Sequence, residues 1–218
     1  MQNRVTVGCT IKFAGYDWRV LDIKTNKALL ISKKMLEMLP YHEKAEKLSW
    51  KDCSLRSYLN FDFYYGLNKK SRLAIVETIN TNTKNPWYGT SGGDMSCDRV
   101  FILSIEEVAR YFGNSGALKQ QRGGHIKYFR VKNNKFIEVE KPDTSQWCCF
   151  GDRFDSARIV RNKDGKAQRW WLRTPGDNER HAAYVFDNGT VDVGGMGVSI
   201  EQNNEFYFGV RPALWLNL

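Results

Sequence analysis

The stretch RWWLRTPGDNERHAAYVFDNGTVDV, Arg169–Val193, decides how the chain folds. RWWL is short, rich in aromatic and apolar residues, and cut by Thr174-Pro175-Gly176, which makes it a strand that ends in a turn. Side chains alternate along a strand, so Trp170 and Trp171 face opposite sides. Both are buried only if each face of their sheet is covered. AAYVFDNGTVDV is then a hairpin around Asn188-Gly189, and two registers compete for it. A two-residue Asn-Gly loop sets Phe186 opposite Val191 and leaves Val185 on the face with Asp192. A three-residue loop, Asp187-Asn188-Gly189 with Gly189 left-handed, sets Phe186 opposite Thr190, Val185 opposite Val191, Tyr184 opposite Asp192 and Ala183 opposite Val193. The second register sorts Ala183, Val185, Val191 and Val193 onto one face, and Tyr184, Phe186, Thr190 and Asp192 onto the other. A slip of one residue moves every side chain across the sheet, so the cleaner sorting predicts the three-residue loop. The outer face that results is either a recognition surface or a face that another layer covers.

Working back toward the N terminus, Val5–Ser32 contains short runs of Val, Ile, Phe, Tyr and Trp separated by Gly15 and Thr25-Asn26-Lys27, the pattern of a three-stranded antiparallel meander. Leu48–Leu59 reads as a helix with Ser49 as N-cap and Trp50, Cys53, Leu55, Tyr58 and Leu59 near one face. Leu67–Ile79 reads as a second helix with Leu73, Ile75, Val76 and Ile79 inward. Asn80–Asp94 is loop, and Phe101-Ile102-Leu103 a short buried strand. Ser104 with Glu107 three residues on is a capping box, and Gly113 ends the helix it starts. The fold class is therefore α+β, in one 218-residue unit whose residues 1–35 form a β meander packed on a main domain of residues 36–218.

A hydrophobic content of 42% supports a real core and excludes bulk disorder. Five cysteines without a CxxC spacing support neither a zinc knuckle nor a disulfide scaffold, so the expectation is reduced, mostly buried thiols and no bound metal or cofactor. No export signal or membrane span is visible, which makes the cytoplasm the default location. A net charge of +9 favours an acidic partner or scattered solvated Lys. The densest basic stretch, Gly116–Lys135, carries Lys119, Arg122, Lys127, Arg130, Lys132 and Lys135 among Tyr128 and Phe129. It is a candidate for single-stranded nucleic acid, or a solvent-facing hairpin with inward aromatics.

Signatures of catalysis are missing: no HExxH, Walker loop, GxGxxG or GxSxG occurs, and His42, His125 and His181 are far apart in sequence. Cys149 with His125 is a conceivable pair, but such residues are more often structural. Asp152, Asp155 and Asp164 lack EF-hand spacing for calcium.

Five stretches carry a resemblance: TIKFAGYDWRVLD (Thr10–Asp22), WKDCSLRSYLN (Trp50–Asn60), DRVFILSIEEV (Asp98–Val108), WWLRTPG (Trp170–Gly176) and GVRPALWLNL (Gly209–Leu218). Over nearly its whole length the chain resembles the DUF6273 family, a group common in gut Firmicutes and their mobile elements. Its ending is also similar to C-type lectin-like domains of the formylglycine-generating-enzyme type, in which a strand with a Gly-x-Arg motif closes the domain, as Gly209-Val210-Arg211 would. Several members resemble the variable proteins of diversity-generating retroelements, in which polar and aromatic positions change within a fixed frame. The frame here would be Ala182-Ala183, Val185, Gly189, Val191, Gly195, Val198 and the stretch from Gly209 onward, with the variable-type segment spanning 170–218. Met196 and Glu179 do not fit adenine-directed variation of Asn codons. The paired cysteines of formylglycine-generating enzymes are absent, since no Cys follows Cys149. The resemblance thus implies a non-enzymatic display protein that binds a protein or other surface ligand. The implied contacts are Asp177, Asn178, Arg180, His181, Tyr184, Phe186, Asp187, Asn188, Thr190, Asp192, Met196, Ser199, Asn203, Asn204 and Tyr207. An enzyme of the formylglycine-generating type and a basic nucleic-acid-binding protein are the alternatives.

Overall fold

Ala14-Gly15 and Thr25-Asn26 turn the first strands back on one another: Ala14, Gly15 and Thr25 all have positive φ, as tight hairpin turns demand. The computed structural model describes residues 5–44, 46–113, 118, 125–132, 135–139, 147–199 and 207–218, with 125–132, 135–139 and 147–149 described as strand backbone. In chain order the strands are β1 (Thr10–Phe13), β2 (Tyr16–Lys24), β3 (Lys27–Ser32), β4 (Met38–Leu39), β5 (Ile75–Val76), β6 (Thr78–Asn80), β7 (Ser96–Asp98), β8 (His125–Lys132), β9 (Lys135–Val139), β10 (Trp147–Gly151), β11 (Val160–Arg161), β12 (Ala167–Gln168), β13 (Trp170–Pro175), β14 (His181–Val185), β15 (Val191–Gly197), β16 (Phe208–Gly209) and β17 (Ala213–Asn217). The main helical segments are α1 (Ser54–Tyr58), continued by a π-helical turn over Leu59–Phe63, then α2 (Tyr64–Gly66), α3 (Lys69–Ala74), α4 (Ile105–Tyr111) and α5 (Asp155–Arg158). The protein is α+β, and mostly β.

Two sheets dominate, in the orders β1-β2-β3-β17-β5 and β4-β16-β13-β14-β15-β10-β8-β9. The last strand lies between β3 and β5, so the N-terminal meander and the end of the chain share one sheet. Apolar residues on both faces of β3, β13 and β17 leave no wet side there, which marks them as interior strands.

Two helices differ from the sequence expectation. Ser49 precedes only a single 3-10 turn, and its hydroxyl donates to Asp52. The helix proper starts at Cys53, whose sulfur accepts from the Arg56 N–H. Trp50, Cys53, Leu55 and Leu59 are buried as expected. The second helix begins at Asn68, which caps Ser71, and stops at Ala74, because Ile75 and Val76 pair with β17 instead. Leu73 and Ile79 therefore face solvent rather than the core. The α4 capping box is present in both directions: Ser104 accepts from the Glu107 N–H, and Glu107 accepts from the Ser104 N–H.

The quoted sequence blocks interlock in the core. Asp98 accepts from Trp50 Nε1, Arg56 Nε, Asn80 Nδ2 and Ser96 Oγ, joining two of the blocks. Arg173 pairs with Glu107 and donates to the Ile102 carbonyl, joining a third block to the second of these. Arg211 lies over Trp170 and Phe112 and donates to the carbonyls of Ser32 and Arg158. Burial and the neighbouring Arg19 lower its guanidinium to about 9, which leaves it charged at neutral pH.

Candidate functional site

The β14–β15 hairpin has the three-residue loop. Tyr184 pairs with Asp192 and Val185 with Val191, Phe186 donates to the Thr190 carbonyl, and Gly189 has φ +88°. The pattern departs further from the turn. Ala182 pairs with Met196, because Gly194 and Gly195 form a bulge that displaces the expected Ala183–Val193 pair. Gly195, at φ +78°, would place a Cβ 2.5 Å from the Ala182 carbonyl, so only glycine fits. The Asp192 carboxylate anchors this bulge by accepting from the Gly195 N–H at 2.8 Å.

The outer face of the hairpin is covered. Tyr184, Phe186, Thr190, Asp192, Met196 and Ser199 are all buried, so an expectation that they contact a ligand from the surface is corrected. The covering comes from neighbours that the hairpin sequence alone does not name. Phe208 of β16 stacks on Trp171 at 4.4 Å and meets Tyr184 at 4.6 Å. Arg169 caps Phe186 and Phe208, and Tyr41 packs on Trp171. The opposite face is closed by Phe112 and Arg211 around Trp170. Both tryptophans are fully buried, with their indole N–H groups donating to the carbonyls of Arg158 and Leu39.

The turn that joins β13 to β14 has the opposite character. Asp177, Asn178, Glu179 and Arg180 are exposed, and His181 is half-buried. Their backbone is nevertheless fixed. Asp177 N–H donates to Gly194, Gly176 N–H to His181, and Val198 N–H to Arg180. Side chains add to this, with Asn178 Oδ1 accepting from the Arg180 N–H and His181 Nδ1 lying 2.7 Å from Asp177 Oδ1. Lys47 pairs with Glu179 at 2.8 Å, and the Leu48 N–H donates to the Glu179 carbonyl. Together Lys47, Thr90 and residues 177–180 line an open cleft of about 420 Å³.

Thr90 reaches this cleft through Asn85, which the sequence reading passes over as loop. Fully buried, Asn85 donates its two amide hydrogens to the carbonyls of Pro175 and Val193, with the Gly176 carbonyl sharing one of them at 3.2 Å, and accepts from the N–H groups of Trp87 and Tyr88. It staples loop 80–94 to the base of the turn. Asn85→Ala is expected to cost about 2–3 kcal/mol, since it strands buried carbonyls, and to loosen the cleft. Urea unfolding of the variant checks this, and a change below about 0.5 kcal/mol would contradict the role.

The remaining candidates fall elsewhere. Asp187 and Asn188 are exposed at the hairpin tip, where Asn188 Oδ1 accepts from the Thr190 N–H and hydroxyl. Tyr207 is exposed, whereas Asn203 and Asn204 lie outside the described residues. Lys119 and Arg122 also lie outside them, while Lys127, Arg130 and Lys132 are on β8. Backbone register sets Cys149 opposite Lys127 and His125 opposite Gly151. Asp152 and Asp155 hold the buried Arg158 at 2.6 and 2.5 Å rather than lining an open site. Asp164 sits in the β11–β12 turn. Among the described residues no group of three His, Cys, Asp or Glu is placed to hold a metal ion. Among them, too, no helix is long and apolar enough to cross a membrane.

A family described as Domain of unknown function (DUF6273) matches residues 25–218. The chain belongs to the DUF6273 family. The match takes in the turn, the hairpin and the closing strand, so the cleft lies within the DUF6273 domain. No curated protein and no solved structure matches the chain.

Proposed function

We propose that this DUF6273 protein is a ligand-binding protein whose recognition surface is the cleft at the β13–β14 turn, and that the cleft works by binding, not by making or breaking bonds. The observation that carries the reading is the contrast between the turn and its support. Exposed Asp177, Asn178, Glu179 and Arg180 stand on a backbone pinned by buried strands and by Asn85. A surface organised before binding loses less entropy on contact. Lys47 and Arg180 beside Asp177 and Glu179 suit a polar surface ligand of mixed charge, such as a protein loop.

The same contrast supports a narrower version of the display reading. Under it, Asp177, Asn178, Arg180, His181, Asp187, Asn188 and Tyr207 are free to change, and the buried Tyr184, Phe186, Thr190, Asp192, Met196 and Ser199 belong to the frame. A C-type lectin-like architecture accords with a closing strand that follows Gly209-Val210-Arg211 and joins the N-terminal sheet. Two surface-display libraries test the proposal. Randomising 177, 178, 180 and 181 is expected to keep display at the parental level and to yield binders to an arbitrary folded protein. Randomising 184, 186, 190 and 192 is expected to abolish display in most clones. Loss of display from the first library, or an absence of binders in it, would sink the reading.

A further inference from the structure

The stretch between β4 and the first helical turns, described at 41–44 and 46–48, is pinned by the His42 N–H to the Val198 carbonyl and by the Leu48 N–H to the Glu179 carbonyl. It carries His42 into contact with Ser54, at the start of α1 and twelve residues further on. Ser54 Oγ lies 2.9 Å from His42 Nδ1, and His42 Nε2 lies 3.0 Å from Glu46 Oε1. The Ser54 backbone N–H also points at Nδ1, at 3.1 Å. A backbone N–H can only donate, so Nδ1 must be the unprotonated ring nitrogen. Nε2 then carries the hydrogen and gives it to the Glu46 carboxylate. With Nδ1 unprotonated, the Ser54 hydroxyl can meet it only as a donor, sharing the nitrogen's one lone pair with the backbone N–H, and the hydroxyl oxygen accepts from the Glu43 N–H at 3.3 Å.

The three side chains thus form a chain of donors running from serine to imidazole to carboxylate, the arrangement that activates a serine oxygen. The ring is used in the reverse sense to the familiar order, with Nδ1 toward the serine. Helix capping by His42 accounts for the contact with the Ser54 N–H, but it requires neither Glu46 nor the serine hydroxyl. Ser54 also borders a groove of about 380 Å³, whose apolar wall is Leu39, Pro40 and Leu55 and whose acidic edge includes Glu43, Asp52 and Asp62.

We propose that Ser54 is a nucleophile that cleaves acyl esters carrying a positive charge, with His42 as its general base and Glu46 as the positioning residue. The Ser54 oxygen bonds to the acyl carbon as its proton passes to His42 Nδ1. The carbon–oxygen bond to the leaving alcohol then breaks, and the alcohol takes that proton. Water next adds to the acyl carbon, passing a proton to Nδ1, and Ser54 leaves as the alkoxide and recovers the proton. One ester and one water become one acid and one alcohol. The apolar wall takes the acyl chain and the acidic edge the positive charge, which sets this site apart from the mixed-charge cleft at the turn.

The test uses the full chain and fluorophosphonate probes, read by intact mass and peptide mapping. The expected result is one adduct, on Ser54, forming roughly tenfold faster with a cationic probe than with an anionic one. Ser54→Ala should take up no adduct, and because it keeps the backbone N–H that meets His42, it is expected to fold. His42→Asn should slow labelling by at least about 100-fold, the usual contribution of a general base. Glu46→Gln should slow it about tenfold without moving the melting temperature, since Glu46 is exposed, while Glu46→Asp should label faster than Glu46→Gln. The proposal is overturned if no adduct forms, if the adduct maps elsewhere or survives in Ser54→Ala, or if heat-unfolded chain labels as fast as folded chain.

Discussion

Tyr184→Ala is expected to cost about 3–5 kcal/mol of folding stability, the range for truncating a buried aromatic residue, and to lower the melting temperature by roughly 10 °C. The ring is fully buried and central to a cluster, at 4.6 Å from Phe208, 4.9 Å from Phe186 and 6.2 Å from Trp171. Removing it leaves a cavity that the others cannot collapse into. Phe208 is held by strand pairing at Gly209, and Trp171 by its bond to the Leu39 carbonyl. Tyr184→Phe keeps the ring and is expected to cost about 1 kcal/mol through loss of the hydroxyl alone. Arg180→Ala, on the exposed turn, should stay within about 0.5 kcal/mol. Thermal melts of the three variants separate the cases. A shift under about 2 °C for Tyr184→Ala would mean that this face is not core and would restore it as a recognition surface.

The hairpin shows what a sequence can and cannot display. Its register was legible because the signal is local: Gly189 must be left-handed, and period-two sorting of Val185 and Val191 against Tyr184 and Phe186 has one clean solution. Exposure was not legible, since the covering layer comes from distant positions. Phe208, Arg169 and Tyr41 are unmarked in the hairpin's own pattern, and only the eight-stranded order brings β16 beside β13. The same limit explains α3. Ile75 and Val76 fit a helical period, but pairing with β17 outweighs the weak propensity of two β-branched residues for helix. Asn85 and the Ser54–His42–Glu46 chain were missed because their partners are set by the path of loops. The one available cue was the proximity of Ser54 to a segment holding both His42 and Glu46.

The quoted blocks report architecture for a physical reason. Asp98, Glu107 and Arg173 satisfy buried donors or acceptors across blocks, and Arg211 lies over Trp170 of another block while donating to the carbonyls of Ser32 and Arg158 outside them. Removing one partner of such a set strands the others, at about 3–5 kcal/mol for a buried ion pair. Folding alone therefore restricts these residues, and under the display proposal the positions that vary would be exposed ones such as Asn178 and Arg180.

Asp192→Asn is expected to make the protein more stable at pH 8 than the wild type and to flatten its pH dependence. Burial pushes the Asp192 carboxyl from 3.8 up to about 7, against the N–H groups of Gly195 and Gly194 and the Tyr184 hydroxyl, which favour the charged form; Asp177 adds to the rise. A carboxyl with a higher pKa folded than unfolded favours folding in its protonated state. That stability is fully present below pH 3.8 and is lost as pH rises through about 7. At about 1.4 kcal/mol per pH unit the whole loss is roughly 4 kcal/mol, of which about 3 kcal/mol falls between pH 5 and pH 8. Asparagine keeps the oxygen that accepts from the Gly195 N–H, so the bulge is retained while the buried charge is removed. Urea titrations at pH 5 and pH 8 measure the difference. An advantage of the variant that does not grow with pH would mean that Asp192 is ionised in the folded state at no cost. Since Asp177 raises the Asp192 value, Asp177→Asn should weaken the wild-type pH dependence, and a cation held against Asp177 in the cleft should do the same. Linkage makes this reciprocal: protonation of Asp192 beneath the turn should weaken the hold of the cleft on a positively charged ligand group.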